Sequence, residues 1–435
     1  MTGASEVEWP AADPPSECPV QAVPAAPQAS EAQESAVRMY GQILQRDPKE
    51  LYREMRREHG PVAPILLEGD LPAWLVLGYR EVHQVTTDSE LFARNSRRWN
   101  HWDDVPDGHP LWPWLGIDHS VLVSEGEEHQ RRAGAISDAL AAVDQFELWD
   151  QCARIADRLI DSFAGSGRAD LIAEYTDRIP LLVVTTMFGM TEEQTRDLIG
   201  DLSTTIDAAE GAGAAHNRVV DRMRALLAVK RERPGNDLPS RLLGHPSTAN
   251  DDECAIDLVI LLTAAHQPTA SWIGNTLRLL LTDERFALTL SGGRRSVGDA
   301  LNEVLWEDSP VSNLLGRWAA RDTQLGGRSI RKGDLLLLGY NAANSDPQVW
   351  PDGTNAHMAG NHAHMAFGHG EHGCPFPAPE LAEVIAKSTI EVLLDRLPDL
   401  RLAVEPEALR WRQSTTIRGL VDLPVEFTPT YAKRP

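Results

Sequence analysis

Apolar residues recur at helical spacing through the middle of the chain, and this pattern predicts a mainly α-helical protein. The longest predicted helix, Asp251–Leu281, is apolar on every side around residues 258–262, which indicates that it is central and buried. The other helices that the pattern predicts there and further on are Gly126–Ala142, Phe146–Ala164, Leu171–Met187, His216–Glu232, Val297–Trp306 and residues 380–396.

Shorter β-like runs lie on both sides of the helical part. Val62–Leu67 and Ala73–Leu77 flank a Gly-Asp turn, and Leu335–Leu338 lies beyond the last long helix. A charged helix, Glu50–His59, precedes the first two runs. The pattern therefore predicts one domain over residues 36–435, with a mainly α fold and a small β region.

Composition changes this picture at the start of the chain and in its charge. Residues 1–35 are rich in Ala, Pro, Glu and Ser, which predicts a disordered arm. The 435 residues include 64 acidic and 41 basic side chains, and the formal charge of −23 argues against binding to a nucleic-acid backbone. No apolar run reaches the roughly 18 residues of a membrane span, and no signal-peptide pattern opens the sequence. We expect a cytoplasmic protein without nucleic-acid or membrane partners.

The candidate chemistry lies in a glycine-rich loop, Phe367–Cys374. The four cysteines of the chain, Cys18, Cys152, Cys254 and Cys374, form no CxxC pair. Free thiols are therefore expected. Cys374 closes the loop, whose glycines at 368, 370 and 373 permit a tight backbone path around one sulfur.

Three kinds of site are compatible with this loop. Gly368–Gly373 formally matches the GxGxxG pattern of a dinucleotide site, although Pro375, Pro377 and Pro379 delay the helix that such a site needs at once. Nearby histidines favour a zinc site with Cys374, although their spacing matches no Cys/His finger; they are His357, His362, His364, His369 and His372. The third is an axial cysteine thiolate on haem iron.

The order of several motifs resembles the cytochrome P450 superfamily in its soluble bacterial form. The motifs are Phe367-x-x-Gly370-x-His372-x-Cys374, Asp308-Ser309-Pro310 after the Glu303 helix, Arg317-x-Ala319-x-x-Asp322, Asn341-x-Ala343-Asn344-x-Asp346-Pro347 and Arg418-Gly419-Leu420. The resemblance implies the haem-thiolate fold, haem b as cofactor and Cys374 as the iron ligand. It also implies that the haem is bound by His129, Arg317, His364, Phe367, Gly368 and His372.

The chain departs from the family where basic residues are expected. Ala133 stands in place of an Arg that follows His129, and either Arg131 or Arg132 is a candidate to compensate unless both are solvated. Glu-x-x-Arg becomes Glu303-Val-Leu-Trp306, and residues 352–367 contain no Arg or Lys. Trp306 is expected either to fill the vacated volume and donate its indole N–H or to be ordinary core.

Two histidines are candidate partners for Glu303 in that arginine-free segment, His357 and His362. After the cysteine, the family's glycine is replaced by Phe376, which must turn away from the porphyrin or lean on it. The helix that follows is expected to begin at about Pro379.

The long central helix carries an altered form of the family's oxygen-binding sequence. Gln267 replaces an acid and Pro268 replaces a threonine. Proline removes an N–H, so we expect the helix to open near Ala264. The candidate catalytic residues are Thr269, whose hydroxyl lies one position further on, His266 as a proton relay, and Gln267.

Aromatic residues suggest where the substrate binds. Four tryptophans, Trp99, Trp102, Trp112 and Trp114, form either the roof of the substrate pocket or a hydrophobic cluster that holds a long loop. Ser414–Ile417 is a second candidate wall. The resemblance implies a haem-thiolate oxidase or monooxygenase that uses O2 and a ferredoxin-type donor on a bacterial specialised metabolite. Oxidative crosslinking of aromatic side chains in a peptide is one form of this activity, and a haem-binding interaction or sensor protein with poor turnover is the alternative.

Overall fold

The computed structural model describes residues 35–105, 120–206, 212–283, 286, 296–350 and 360–430. Almost all of the predicted N-terminal arm lies outside these residues. The described helices, in chain order, are α1 Pro48–His59, α2 Tyr79–Thr87, α3 Gly126–Ala141, α4 Gln145–Phe163, α5 Ile179–Met187, α6 Glu192–Ile206, α7 Ala212–Glu232, α8 Leu238–Gly244, α9 Asp251–Thr282, α10 Val297–Glu307, α11 Tyr340–Asn344 and α12 Ala378–Arg396. The prediction of a mainly α fold is therefore confirmed.

The strands form a minor part of the described chain. They are β1 Val37–Arg38, β2 Val62–Leu67, β3 Leu71–Val76, β4 Phe92–Ala93, β5 Arg168–Asp170, β6 Asn313–Ala319, β7 Thr323–Leu325, β8 Arg328–Ile330, β9 Leu335–Gly339, β10 Arg401–Leu402 and β11 Pro424–Glu426. The main sheet has the order β1-β2-β3-β9-β6-β4, and β10-β11-β5 and β7-β8 form smaller sheets. The pairing of β6 with β9 shifts register between Leu315 and Arg317.

Helix α9 is central, as its apolar pattern predicts, and it packs against α5, α7, α10 and α12. Asn250 caps it by accepting a hydrogen bond from the N–H of Glu253. The helix runs on through Pro268, so the predicted opening near Ala264 is wrong. Pro268 still deprives the Ala264 carbonyl of its usual donor, but buried turns on both sides hold the helical path.

A second difference lies between β5 and α5, where the pattern predicts one helix, Leu171–Met187. The chain instead forms a π-helical segment, Ile172–Thr176, and begins a new α-helix at Ile179. Pro180 lies in the first turn of that helix, where a missing N–H costs nothing. The new helix thus begins where a proline is tolerated and does not carry Pro180 in its interior.

The cysteine loop lies where the helical and sheet cores meet. Met365 belongs to a core cluster formed largely by the main sheet and α2. Its neighbour Ala366 belongs to the large helical cluster, and Phe367 packs against that cluster. The loop that follows is therefore fixed between two parts of the core.

Candidate functional site

The cysteine loop is folded by its own backbone. The N–H of Cys374 donates to the carbonyl of Phe367 at 2.8 Å, and the N–H of Gly373 donates to the carbonyl of Gly370 at 3.0 Å. Gly368 and Gly370 both have φ of 72°, a conformation that favours glycine. A Cβ on Gly368 would lie 2.9 Å from the Tyr340 hydroxyl, and one on Gly370 would clash with the carbonyl of Thr86.

Cys374 differs from the other described cysteines in its accessibility. Cys152 and Cys254 are buried, whereas Cys374 is exposed. Surrounding protein atoms nevertheless raise the pKa of the Cys374 thiol to about 12, and Glu380 adds to the rise. Cys374 is thus surrounded by many protein atoms and still keeps accessible surface at which a ligand can reach it. We call this partly enclosed position the recess.

Two histidines lie together beside the loop. The rings of His129 and His372 are 3.8 Å apart between centroids, with an interplanar angle of 41°. The ring nitrogens of His129 lie 3.0 Å from the carbonyl oxygen of Val121 and 3.1 Å from that of Glu371. Burial lowers the pKa of His372 to about 2, with smaller contributions from His129, Arg317 and Arg94.

Two arginines complete this side of the recess. Arg317 is 1% exposed, its Nη1 donates weakly to the carbonyl of Phe92 at 3.5 Å, and its Nε has no partner. Arg94, which the sequence did not single out, is 6% exposed and hydrogen-bonds main-chain carbonyls. Burial lowers the pKa of Arg94 to about 9 and that of Arg317 to about 10. Burial raises the pKa of Tyr340, also missed in the sequence, to about 12, and Arg317 and Arg94 oppose the rise.

The candidate catalytic residues share the central helix. His266, Gln267 and Thr269 are all buried. The Nε2 of His266 lies 2.8 Å from the carbonyl oxygen of Asp177, while its Nδ1 and the amide nitrogen of Gln267 have no partner. Burial lowers the pKa of His266. His266 thus points one nitrogen at the segment before α5.

Comparison with known proteins decides the family. The chain is 30% identical to cytochrome P450 107B1 of Saccharopolyspora erythraea over 86% of its own length and 93% of that protein. It is 31% identical to nocardicin C N-oxygenase of Nocardia uniformis subsp. tsuyamanensis, over 86% of this chain and 94% of that one. The chain belongs to the cytochrome P450 superfamily.

Solved structures show the same fold. CYP154A1 of Streptomyces coelicolor A3(2) superposes on this P450 with a TM-score of 0.79 and 25% identity, over 90% of this chain and 100% of that one. CYP154C4 of Streptomyces sp. ATCC 11861 gives a TM-score of 0.80 at 24% identity, over 90% and 98%. No protein-family model matches the chain. The protein is a P450-type oxidoreductase with the haem-thiolate fold.

Members of this family bind haem b through an axial cysteine thiolate, and the donor set of this P450 fits that group. An accessible thiol lies at the end of the loop, and buried guanidinium groups beside it suit the carboxylates of haem. The competing zinc site finds no support, since no cluster of three or more His, Cys, Asp or Glu that could hold a metal occurs in the described part of the chain. The hypothesis of a dinucleotide site is wrong as well, because such a site needs a helix that begins at the glycines and α12 begins at Ala378.

His364 packs against Trp306, at 5.8 Å between ring centroids. The ring of Phe367 is also 5.8 Å from that of His364. Burial lowers the pKa of His364 to about 4, with help from His362, and its Nδ1 has no partner. His364 is therefore neutral near pH 7 in this structure.

Trp306 fills its position with both packing and a hydrogen bond. It is 2% exposed, and its indole N–H donates to the carbonyl of Asn361 at 2.8 Å. The ring of Trp350 meets it edge-on at 4.9 Å. Glu303, on the same helix, is also buried, while His362 is exposed and His357 lies outside the described residues.

Two arginines of α3 form ion pairs with carboxylates of the central helix α9. Arg131 forms a bidentate pair with Glu253 at 2.7 Å for each contact. Arg132 is buried and binds both oxygens of Asp257, at 2.6 and 3.0 Å. Both guanidinium groups are thus engaged by carboxylates of α9, and surface solvation is wrong for the buried Arg132.

Two of the four predicted tryptophans lie within the described residues. Trp99 is 3% exposed and belongs to a core cluster of the sheet, so for this residue the structural alternative holds. Trp102 is partly buried, with the Arg97 guanidinium 5.4 Å from its ring centroid. Trp112 and Trp114 lie outside the described residues.

The other candidate wall, Ser414–Ile417, hydrogen-bonds neighbouring main chain. Its Thr415 hydroxyl donates to the Met39 carbonyl at 2.7 Å, and the Thr416 carbonyl accepts from the N–H of Ser312 at 2.9 Å. Phe376 is 69% exposed. Among the described residues, no helix is both long and apolar enough to cross a membrane.

Proposed function

We propose that this P450 oxidises a bacterial specialised metabolite, with Cys374 as the iron ligand, in the cytoplasm. The observation that carries the proposal is the exposed Cys374 thiol at the end of a loop fixed by its own hydrogen bonds. Thiolate-bound haem supplies the activation of O2. A ferredoxin-type protein supplies the electrons.

The names of the relatives support this substrate class. Nocardicin C N-oxygenase and the mycinamicin IV hydroxylase/epoxidase of Micromonospora griseorubida, the latter 30% identical over 86% of this chain and 94% of that protein, are named for oxidations of such compounds. They differ in the bond that is oxidised, so they support a class and leave the individual substrate open.

The central helix favours oxidative coupling over oxygen insertion. Gln267 cannot ionise, and Pro268 offers neither a hydroxyl nor an N–H. One nitrogen of His266 is already directed at the Asp177 carbonyl. The Thr269 hydroxyl is the nearest remaining proton donor in this sequence, and it is buried. We therefore favour a reaction that joins two aromatic rings of a peptide.

Coupling has a distinct atom balance. Each ring loses one hydrogen, one bond forms between the rings, and the two hydrogens leave as water together with both atoms of O2, two protons and two donor electrons. Labelled O2 should therefore give a product lighter by two hydrogens and free of label. A labelled oxygen in the product would contradict coupling and would support insertion.

The haem ligand is tested separately from the substrate. The reduced protein with carbon monoxide should show the strongly red-shifted Soret band of thiolate-bound haem, and Cys374→Ala should abolish it. Cys254→Ala, at a buried cysteine, is the matched control and should keep the band. Loss of the band in both variants, or in neither, would count against Cys374.

A haem-binding interaction or sensor protein is the second candidate. The altered residues at 267 and 268 favour it, because they remove the acid and hydroxyl that the family places there. Such a protein would be reduced and would bind carbon monoxide, yet it would oxidise none of the aromatic peptides offered with a competent electron donor. Turnover of any of them would rule this candidate out.

A further inference from the structure

Arg94 is seated in a bulge of strand β6. Its Nη1 donates to the carbonyl of Gly316 at 2.6 Å and to that of Leu315 at 3.2 Å, and its Nε donates to the carbonyl of Leu122 at 2.8 Å. Gly316 has φ of 111°, and a Cβ on it would lie 2.8 Å from Arg94 Nη1. The bulge therefore needs glycine both for its backbone conformation and for the space that the guanidinium occupies.

The same bulge places a second buried cation beside the first. Arg317 follows Gly316 directly, and its charge contributes to the lowered pKa of Arg94. In the described part of the chain, neither guanidinium forms an ion pair with a carboxylate, and Arg317 Nε has no hydrogen-bond partner at all. Two like charges buried together without an anion are unfavourable, so the arrangement calls for one.

Hydrogen bonds connect the arginine pair to the cysteine loop. Arg94 Nε donates to the carbonyl of Leu122, and the carbonyl of the adjacent Val121 lies 3.0 Å from a ring nitrogen of His129. The other ring nitrogen of His129 lies 3.1 Å from the carbonyl of Glu371 in the loop. The pair therefore adjoins the space that haem occupies in this family.

The usual cation of helix α3 is missing from this space. Ala133 stands at its position, and Arg131 and Arg132 are bound to Glu253 and Asp257. We propose that Arg94 replaces that cation, so that Arg94 and Arg317 together bind the propionate carboxylates of haem. This inference rests on the haem binding stated above.

Haem retention tests the proposal without reference to turnover. We would follow haem transfer from the purified ferric protein to excess apomyoglobin by the Soret change. Arg94→Met should lose haem at least tenfold faster than the unchanged protein. Arg94→Lys should be intermediate, because a lysine keeps the charge and loses the fork. Arg98→Gln, four residues along and paired with Glu125 at the surface, is the matched control and should not differ.

A second measurement separates carboxylate binding from a structural role. The apoprotein is reconstituted with haem or with haem dimethyl ester, whose esterified propionates carry no charge. The unchanged protein should bind haem at least tenfold more tightly than the ester, and Arg94→Met should lose most of that preference. If Arg94→Met weakens both equally, or keeps its haem as well as the unchanged protein does, the proposal is overturned. A haem-loaded protein that oxidises no substrate would instead contradict the proposed function and leave this inference standing.

Discussion

Two pairs of arginines near the cysteine loop are satisfied in opposite ways. Arg131 and Arg132 each bind a carboxylate of the central helix with two contacts. Arg94 and Arg317 are buried, as Arg132 is, but donate to main-chain carbonyls. The first pair therefore joins α3 to the central helix α9, whereas the positive charge of the second pair is left for a ligand.

The largest effect should come from breaking a completed pair. Asp257→Asn removes the charge opposite Arg132 and leaves a buried cation unbalanced, so the free energy of unfolding should fall by about 3–5 kcal/mol. Urea denaturation of the protein measures this fall.

Glu128→Gln is the matched control for that experiment, since it removes the other, exposed carboxylate that Arg132 contacts, at 3.1 Å. Exposed pairs contribute about 0.5 kcal/mol or less. Equal losses in the two variants would show that burial of the Arg132–Asp257 pair has no special weight.

A buried histidine differs from a buried arginine because it can release its proton, so the effect of His364 on stability should depend on pH. The folded-state pKa is lowered from 6.5 to about 4, so the unfolded chain binds the extra proton first as the pH falls. The His364 contribution to stability should therefore be full above pH 6.5, fall between pH 6.5 and about 4, and change little below that. The loss should be at most about 3 kcal/mol.

Thermal or urea unfolding across that pH range measures the His364 contribution. His364→Gln, which does not titrate, should make the curve flatter between pH 6.5 and 4. A variant whose pH dependence matches that of the unchanged protein would contradict the assignment to His364.

The smallest effect should come from Trp306, which is buried and uncharged and whose indole N–H is satisfied by a hydrogen bond. Trp306→Phe keeps an aromatic ring but leaves the Asn361 carbonyl without the indole donor. We expect a loss of about 1 kcal/mol in the free energy of unfolding. Trp306→Ala, which also empties the space beside Trp350, should cost about 3–5 kcal/mol. If the two variants are equally stable, packing around Trp306 is unimportant.

The sequence predicted those features that depend on local spacing. The path of the cysteine loop follows from its glycines, and the long α9 follows from its apolar pattern. Helices α2, α6 and α8 were missed because each is short or highly charged, so its apolar face is too weak to stand out.

Features that depend on contacts between distant segments could not be predicted from local spacing. Arg94 belongs to no motif, and it acquires its surroundings only when β6 bulges at Gly316. The Asn361 partner of Trp306 and the Asp177 partner of His266 come from distant segments. The carboxylate that pairs with Arg132 likewise depends on which turn of α9 faces α3.

Gly370 has a consequence for how this loop can diverge. Because it meets Thr86 backbone to backbone, the position of the sulfur is set by main chain and by the absence of a side chain. The neighbouring side chains His369 and Glu371 are exposed and take no part in that contact. Their contacts are instead with side chains of neighbouring segments, His83, Ser89 and Gln130. Changes there would alter an outer surface that could adapt to a new electron donor, while the backbone that positions the sulfur stays the same.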